Sequence, residues 1–302
     1  MPRMCIFLKG LANQWRGKKI KISLKTSQTS NRFRFGAEIR DPSRSYGSAR
    51  ILLILLITGL AMTQVLTGHP WGTWVFCAAV LILPLAIRSG SIYTVHFNIL
   101  LLLNFLTDLY PHLPGYPFSR LTHLVLYGYA VAMIPALRGT VGWVRLGKMT
   151  GKIWFASATV VCLGVLILVV WARENSTDFS RYANLLPNAL IGVLLLYGVA
   201  FAAFNAALEE IIWRGVMMEA LDSAFGAGYC SVIIQAASFG VAHYRAGFPN
   251  KLSGAMLTFL GGLILGLIRR KSRGLFGSWL VHFIGDMTAF SLILFYVYKS
   301  GK

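Results

Sequence analysis

Residues 153–172 read IWFASATVVCLGVLILVVWA, twenty positions without one charged side chain. A helix of that length rises about 30 Å, the thickness of a bilayer's hydrocarbon core. Lipid offers no hydrogen bonds, so a crossing chain must satisfy its backbone internally, as a helix does. Outward from this run in both directions, apolar stretches of similar length recur at about 51–67, 71–88, 92–111, 121–138, 185–208, 227–244, 252–268 and 275–297. The pattern predicts an all-α, polytopic membrane helical bundle of about eight or nine transmembrane helices.

Composition points the same way. Hydrophobic residues are 56% of the 302, charged residues 13%, and mean hydropathy is +0.63. Soluble domains carry about 25% charged residues. The net charge is +19, and 12 of the 29 Lys and Arg lie in residues 1–50, against only Glu38 and Asp41. The others sit mostly in short links between the apolar runs. That distribution suits a tail beside anionic lipid and argues against nucleic acid as a partner. Within the tail, Lys18 to Lys25 alternates basic and apolar residues, yet the tail as a whole reads as disordered. Its length exceeds the n-region of a signal peptide, and no small-residue cleavage site follows the first apolar run. With the tail inside, alternate links carry 22 Lys and Arg inside and 7 outside; without the tail the split is 10 against 7. The expected localisation is integral membrane, multi-pass, with the basic N-terminal tail cytoplasmic. Cys5, Cys77, Cys162 and Cys230 form no CxxC pair and read as small apolar packing residues, not as a disulfide framework or metal site.

The chemistry lies in the second half. Ionisable groups at membrane depth are costly and mark function. Glu209 and Glu210 end one apolar run and precede Arg214, in the order Glu-Glu-x-x-x-Arg. Glu210 and Arg214 are i and i+4 and can pair on one face, while Glu209 points about 100° away and is left for other work. Phe239 and His243 share a face in the next run, as do His282 and Asp286 in the last. The sixth and seventh runs predict an antiparallel hairpin with its tip among Asp222, Ser223, Gly226 and Gly228. Glu209 and His243 then stand at one level, each about 25 Å from the tip. His282 reaches that level if the hairpin projects about two turns beyond the membrane. Gly254, Gly261, Gly262 and Gly266 give the eighth run a small-residue surface suited to close helix packing.

Glu-Glu-x-x-x-Arg, Phe-x-x-x-His and His-x-x-x-Asp in this order on successive helices resemble the CPBP family of intramembrane proteases, which includes CAAX prenyl endopeptidases and bacteriocin-processing or abortive-infection proteins. The resemblance covers about residues 185–295. It divides the chain into a tail (1–50), N-terminal transmembrane helices of unassigned role (51–182) and a CPBP-like catalytic transmembrane domain (183–302). It implies that Glu209 activates water, that His243 positions or polarises it, and that His282 and Asp286 face the oxyanion. Glu210, Arg214 and Phe239 would be structural support.

Peptide hydrolysis needs these parts: a base for water and donors aimed at the developing oxyanion. One position departs from the simplest form of the pattern. Asparagine there donates a hydrogen bond directly; Asp286 donates only when protonated, and when ionised it would instead orient His282. No cofactor is favoured. Zinc is the alternative, held by Glu209, His243 and His282, although His-Glu-x-x-His is absent. The expected activity is an intramembrane endopeptidase acting near the cytoplasmic face on a membrane-associated peptide or protein, with the lipid bilayer as the other partner. The alternatives are a non-proteolytic binding or immunity protein of the same fold, a transporter or proton channel lined by the same groups, and a structural membrane subunit.

Overall fold

A computed structural model describes residues 46–67, 69–108, 118–175, 179, 186, 189–245 and 247–299. The expected tail lies almost wholly outside the described residues. The described residues are helical, with no strand among them. The helices are α1 (Tyr46–Thr67), α2 (His69–Arg88), α3 (Ile92–Asp108), α4 (Phe118–Met133), α5 (Gly151–Glu174), α6 (Ile191–Glu209), α7 (Met218–Phe225), α8 (Tyr229–Arg245), α9 (Lys251–Ser272) and α10 (Phe276–Lys299). A single turn, Pro135–Arg138, follows α4. It is set off because Pro135 drives Ile134 into an extended conformation, φ −98° and ψ 105°.

Five of these stretches are long and apolar enough to cross a membrane: Gly47–Leu66, Gly151–Glu174, Ile191–Phe225, Lys251–Ser272 and Phe276–Lys299. Gly72–Arg88, Ile92–Phe105 and Leu124–Met133 are shorter apolar helices. The expected count of eight or nine spans is therefore met only in part. α8 belongs to neither group because it carries Ser231, Gln235 and Ser238, which it buries against its neighbours. The sixth expected span does not stop at 208. Its helix continues through Glu209 for 35 residues to Phe225, where Gly226 at φ +80° turns the chain. The expected hairpin tip is found there.

Packing explains how these elements hold together. α1, α2 and α3 bury Ile54, Ile57, Ala79 and Leu101 in one core with Val216, Met217 and Leu221 of the long helix. His96, one turn inside α3, is buried with Nδ1 2.7 Å from Tyr127 Oη and Nε2 2.8 Å from Thr140 Oγ1. It ties α3 to α4 and to the segment that follows. Among the described helices, α8 and α9 are the most extensively packed pair. A Cβ on Gly262 would stand 3.0 Å from Ala236 Cα, and one on Gly266 2.8 Å from Gln235 Nε2. The close approach lets Gln235 donate to Gly262 O at 2.8 Å. Gly254 packs on Pro249, whereas Gly261 meets nothing within 4 Å, so three of the four expected small residues serve close packing. α5 packs on α9 and α10 and exposes Phe155, Leu163, Leu166 and Val170, the surface lipid requires.

The two long hairpins are pinned at the tip. Arg269 pairs with Glu219, and Arg270 grips Asp222 through two bonds of 2.8 and 3.2 Å. Residues 145–148 lie along the α9–α10 turn: Lys148 N donates to Ser272 O, Leu275 N to Arg145 O and Phe276 N to Leu146 O.

Candidate active site

The site is built where α6, α8 and α10 come together about 9 Å along α10 from its first residue, at ~1.5 Å per residue. On the long helix, Glu210–Met217 widens into a π-helical turn. Such turns are rare and recur at functional sites. This one carries Glu210 at 1% exposure and Arg214 at 0%. Arg214 Nη1 stands 2.9 Å from Glu210 Oε1, the pairing expected from the spacing. The guanidinium also lies over the Phe239 ring, 4.5 Å from its centroid. Gly215 makes room there for the buried Trp143 ring.

From α10, His282 Nδ1 lies 2.9 Å from Glu210 Oε1. An ionised carboxylate only accepts, so Nδ1 carries the proton. Nε2 is thereby turned to Glu209 Oε2 at 3.6 Å and Asp286 Oδ1 at 3.7 Å, both beyond direct hydrogen-bonding distance. Glu209 is thus not set apart from its neighbour's partner, as the 100° offset first suggested. The two adjacent carboxylates straddle one imidazole, one at each nitrogen.

From α8, Phe239 is the hub. Its ring centroid is 4.6 Å from that of His243, 5.8 Å from that of His282 and 5.7 Å from that of Trp213. His243 Nδ1 donates to Phe239 O at 3.0 Å, which fixes the tautomer and the orientation of the ring. The loop after α8 closes on this ring through Gly247, whose φ of +96° and missing Cβ the site requires; a Cβ would stand 2.8 Å from His243 Cδ2.

Sequence reasoning passed over Asn205. Its Nδ2 donates to Asp286 Oδ2 at 2.9 Å. The signal was present: a carboxamide one turn before Glu209 in an otherwise apolar run. Asn205 and Glu209 face Asp286 and His282 as two rungs between antiparallel α6 and α10. Trp279 adds a bond from Nε1 to Ala203 O at 3.1 Å, and Gly198 admits the Phe290 ring further along.

The zinc alternative asks for Glu209, His243 and His282 as one ligand set. Among the described residues no three His, Cys, Asp or Glu are grouped to hold a metal. His282 gives its Nδ1 proton to Glu210, a bond that orients zinc-ligating imidazoles as well as metal-free ones and so is compatible with either route.

Comparison with curated proteins finds no match, nor does comparison with solved structures. Residues 191–288 match the family model described as type II CAAX prenyl endopeptidase Rce1-like. The matched stretch holds Asn205, both glutamates, Arg214, Phe239, both histidines and Asp286. This chain therefore carries an Rce1-like domain at residues 191–288, in keeping with the CPBP intramembrane proteases that its three motifs resemble.

Proposed function

We propose that this protein is an intramembrane endopeptidase that hydrolyses a peptide bond of a membrane-associated substrate with water activated by Glu209. The observation that carries the reading is His282 held between Glu210 at Nδ1 and Glu209 near Nε2. Glu209 takes one proton from water, and the water oxygen bonds to the scissile carbonyl carbon. The carbonyl oxygen takes the electron pair and faces Nε2 of His282, which donates to it when the ring carries both its protons, with Asp286 behind the ring. His243 positions the attacking water. When the C–N bond breaks, the proton held on Glu209 passes to the leaving nitrogen. General-base help contributes about 10²- to 10⁴-fold and oxyanion stabilisation about 10²- to 10³-fold in other enzymes.

No metal takes part in this scheme; zinc held by Glu209, His243 and His282 is the alternative route. The family's name makes a prenylated C-terminal CAAX peptide the first substrate class to try. We place the tail on the cytoplasmic side, because Arg88, Arg145, Lys148, Lys152 and Arg269–Arg273 gather at the end of the bundle where α1 begins.

The test is cleavage of a farnesylated CAAX peptide and of a membrane-peptide library by detergent-purified protein, with Glu209→Ala as control. Cleavage that needs Glu209 and survives a strong chelator supports the reading. Equal cleavage by Glu209→Ala overturns the proposed base, loss in chelator overturns the metal-free route, and ion-coupled uptake into liposomes without cleavage favours a transporter.

A further inference from the structure

Asn205 stands in the run Ala202-Ala203-Phe204-Asn205-Ala206-Ala207-Leu208, the only polar side chain among seven, and is buried. An unpaired carboxamide there would be costly. Its Nδ2 is committed to Asp286 Oδ2 at 2.9 Å. The side chain of Asp286 is 18% exposed, more than those of His282 at 9% and Glu209 at 7%. It is therefore the least enclosed of the three, and the terminal torsion of Asp is intrinsically broad. The bond from α6 stops that rotation. With Oδ2 held, Oδ1 is directed at His282 Nε2, 3.7 Å away.

We propose that Asn205 is a positioning residue of the hydrolytic site: its carboxamide clamps Asp286 Oδ2 and so fixes Oδ1 beside His282 Nε2. This rests on the reading of Glu209, His282 and Asp286 as the reacting groups. Glu210 then sets the ring from Nδ1, and the Asn205–Asp286 pair fixes one of the two carboxylates, the other being Glu209, that Nε2 faces. The bland reading makes the same bond a tie between α6 and α10. A tie alone would affect stability and leave turnover by folded enzyme untouched.

The experiment is steady-state kinetics on the full chain in detergent, with a farnesylated CAAX peptide or the library peptide that wild type cuts fastest as substrate, and thermal melting measured in parallel. The variants are Asn205→Ala, Asn205→Asp and the exchange Asn205→Asp with Asp286→Asn. The single changes should lower kcat about tenfold or more with KM little altered, since sub-ångström placement governs turnover. The exchange rebuilds the bond with donor and acceptor reversed and leaves an oxygen facing His282, so it should recover most of the kcat lost in Asn205→Asp. Wild-type kcat in both single variants, whatever their melting temperatures, overturns the proposal, as does an exchange no better than Asn205→Asp. If wild type cleaves and Glu209→Gln does not, such results sink the role of Asn205 alone. If Glu209→Gln cleaves as wild type does, the site reading fails and this inference falls with it.

Discussion

His282 Nδ1 and Glu210 Oε1 meet at 2.9 Å across 72 residues of chain, joining α10 to the π-helical turn. The same carboxylate pairs with Arg214, also at 2.9 Å. One buried acid thus serves as counter-ion to a buried guanidinium and sets the tautomer of a buried imidazole. Its neighbour Glu209 is left facing the opposite ring nitrogen.

Replacement of Glu209 by Gln keeps the shape and removes the base. We expect kcat to fall by about 10²- to 10⁴-fold. The melting temperature should stay near wild type. Peptide cleavage and a thermal melt on the same preparation check it.

Arg214 acts on stability. With Arg214→Ala, Glu210 loses its buried cation, which typically costs about 3–5 kcal/mol. We expect a poorly folded protein of low yield. Arg214→Lys should rescue only part of this, because an ammonium lacks the flat face that lies on Phe239. A melt in detergent ranks the variants, and a wild-type melt for Arg214→Ala would contradict the structure.

Gly247→Ala addresses His243 from outside the motifs. The left-handed backbone and the ring 2.8 Å from a new Cβ both oppose the change. We expect the loop to shift His243 and kcat to fall roughly tenfold or more. Activity equal to wild type would show that the loop does not hold the ring.

The α8–α9 interface offers a paired comparison. Gly262→Leu and Gly266→Leu insert side chains against Ala236 and Gln235 and should destabilise by about 1–3 kcal/mol or more. Gly261→Leu enters open space and should be nearly silent in a melt.

The sequence by itself determined what local rules control. Apolar runs too poor in charge for water announced a membrane bundle, because lipid forces backbone satisfaction onto each segment separately. Pairing of Glu210 with Arg214 was legible for a similar reason: i and i+4 are neighbours within one turn. The fusion of 191–208 with 209–225 into one helix, and the shortfall of α8, were not. Polar residues that lower hydropathy are tolerated when a neighbouring helix buries them, and only packing reveals the neighbour. Both carboxylates on one imidazole, and Asn205 on Asp286, likewise required the tertiary structure. Each joins residues at least 72 positions apart, and which faces of two helices meet is set by how side chains interlock across the bundle, a property no single segment carries.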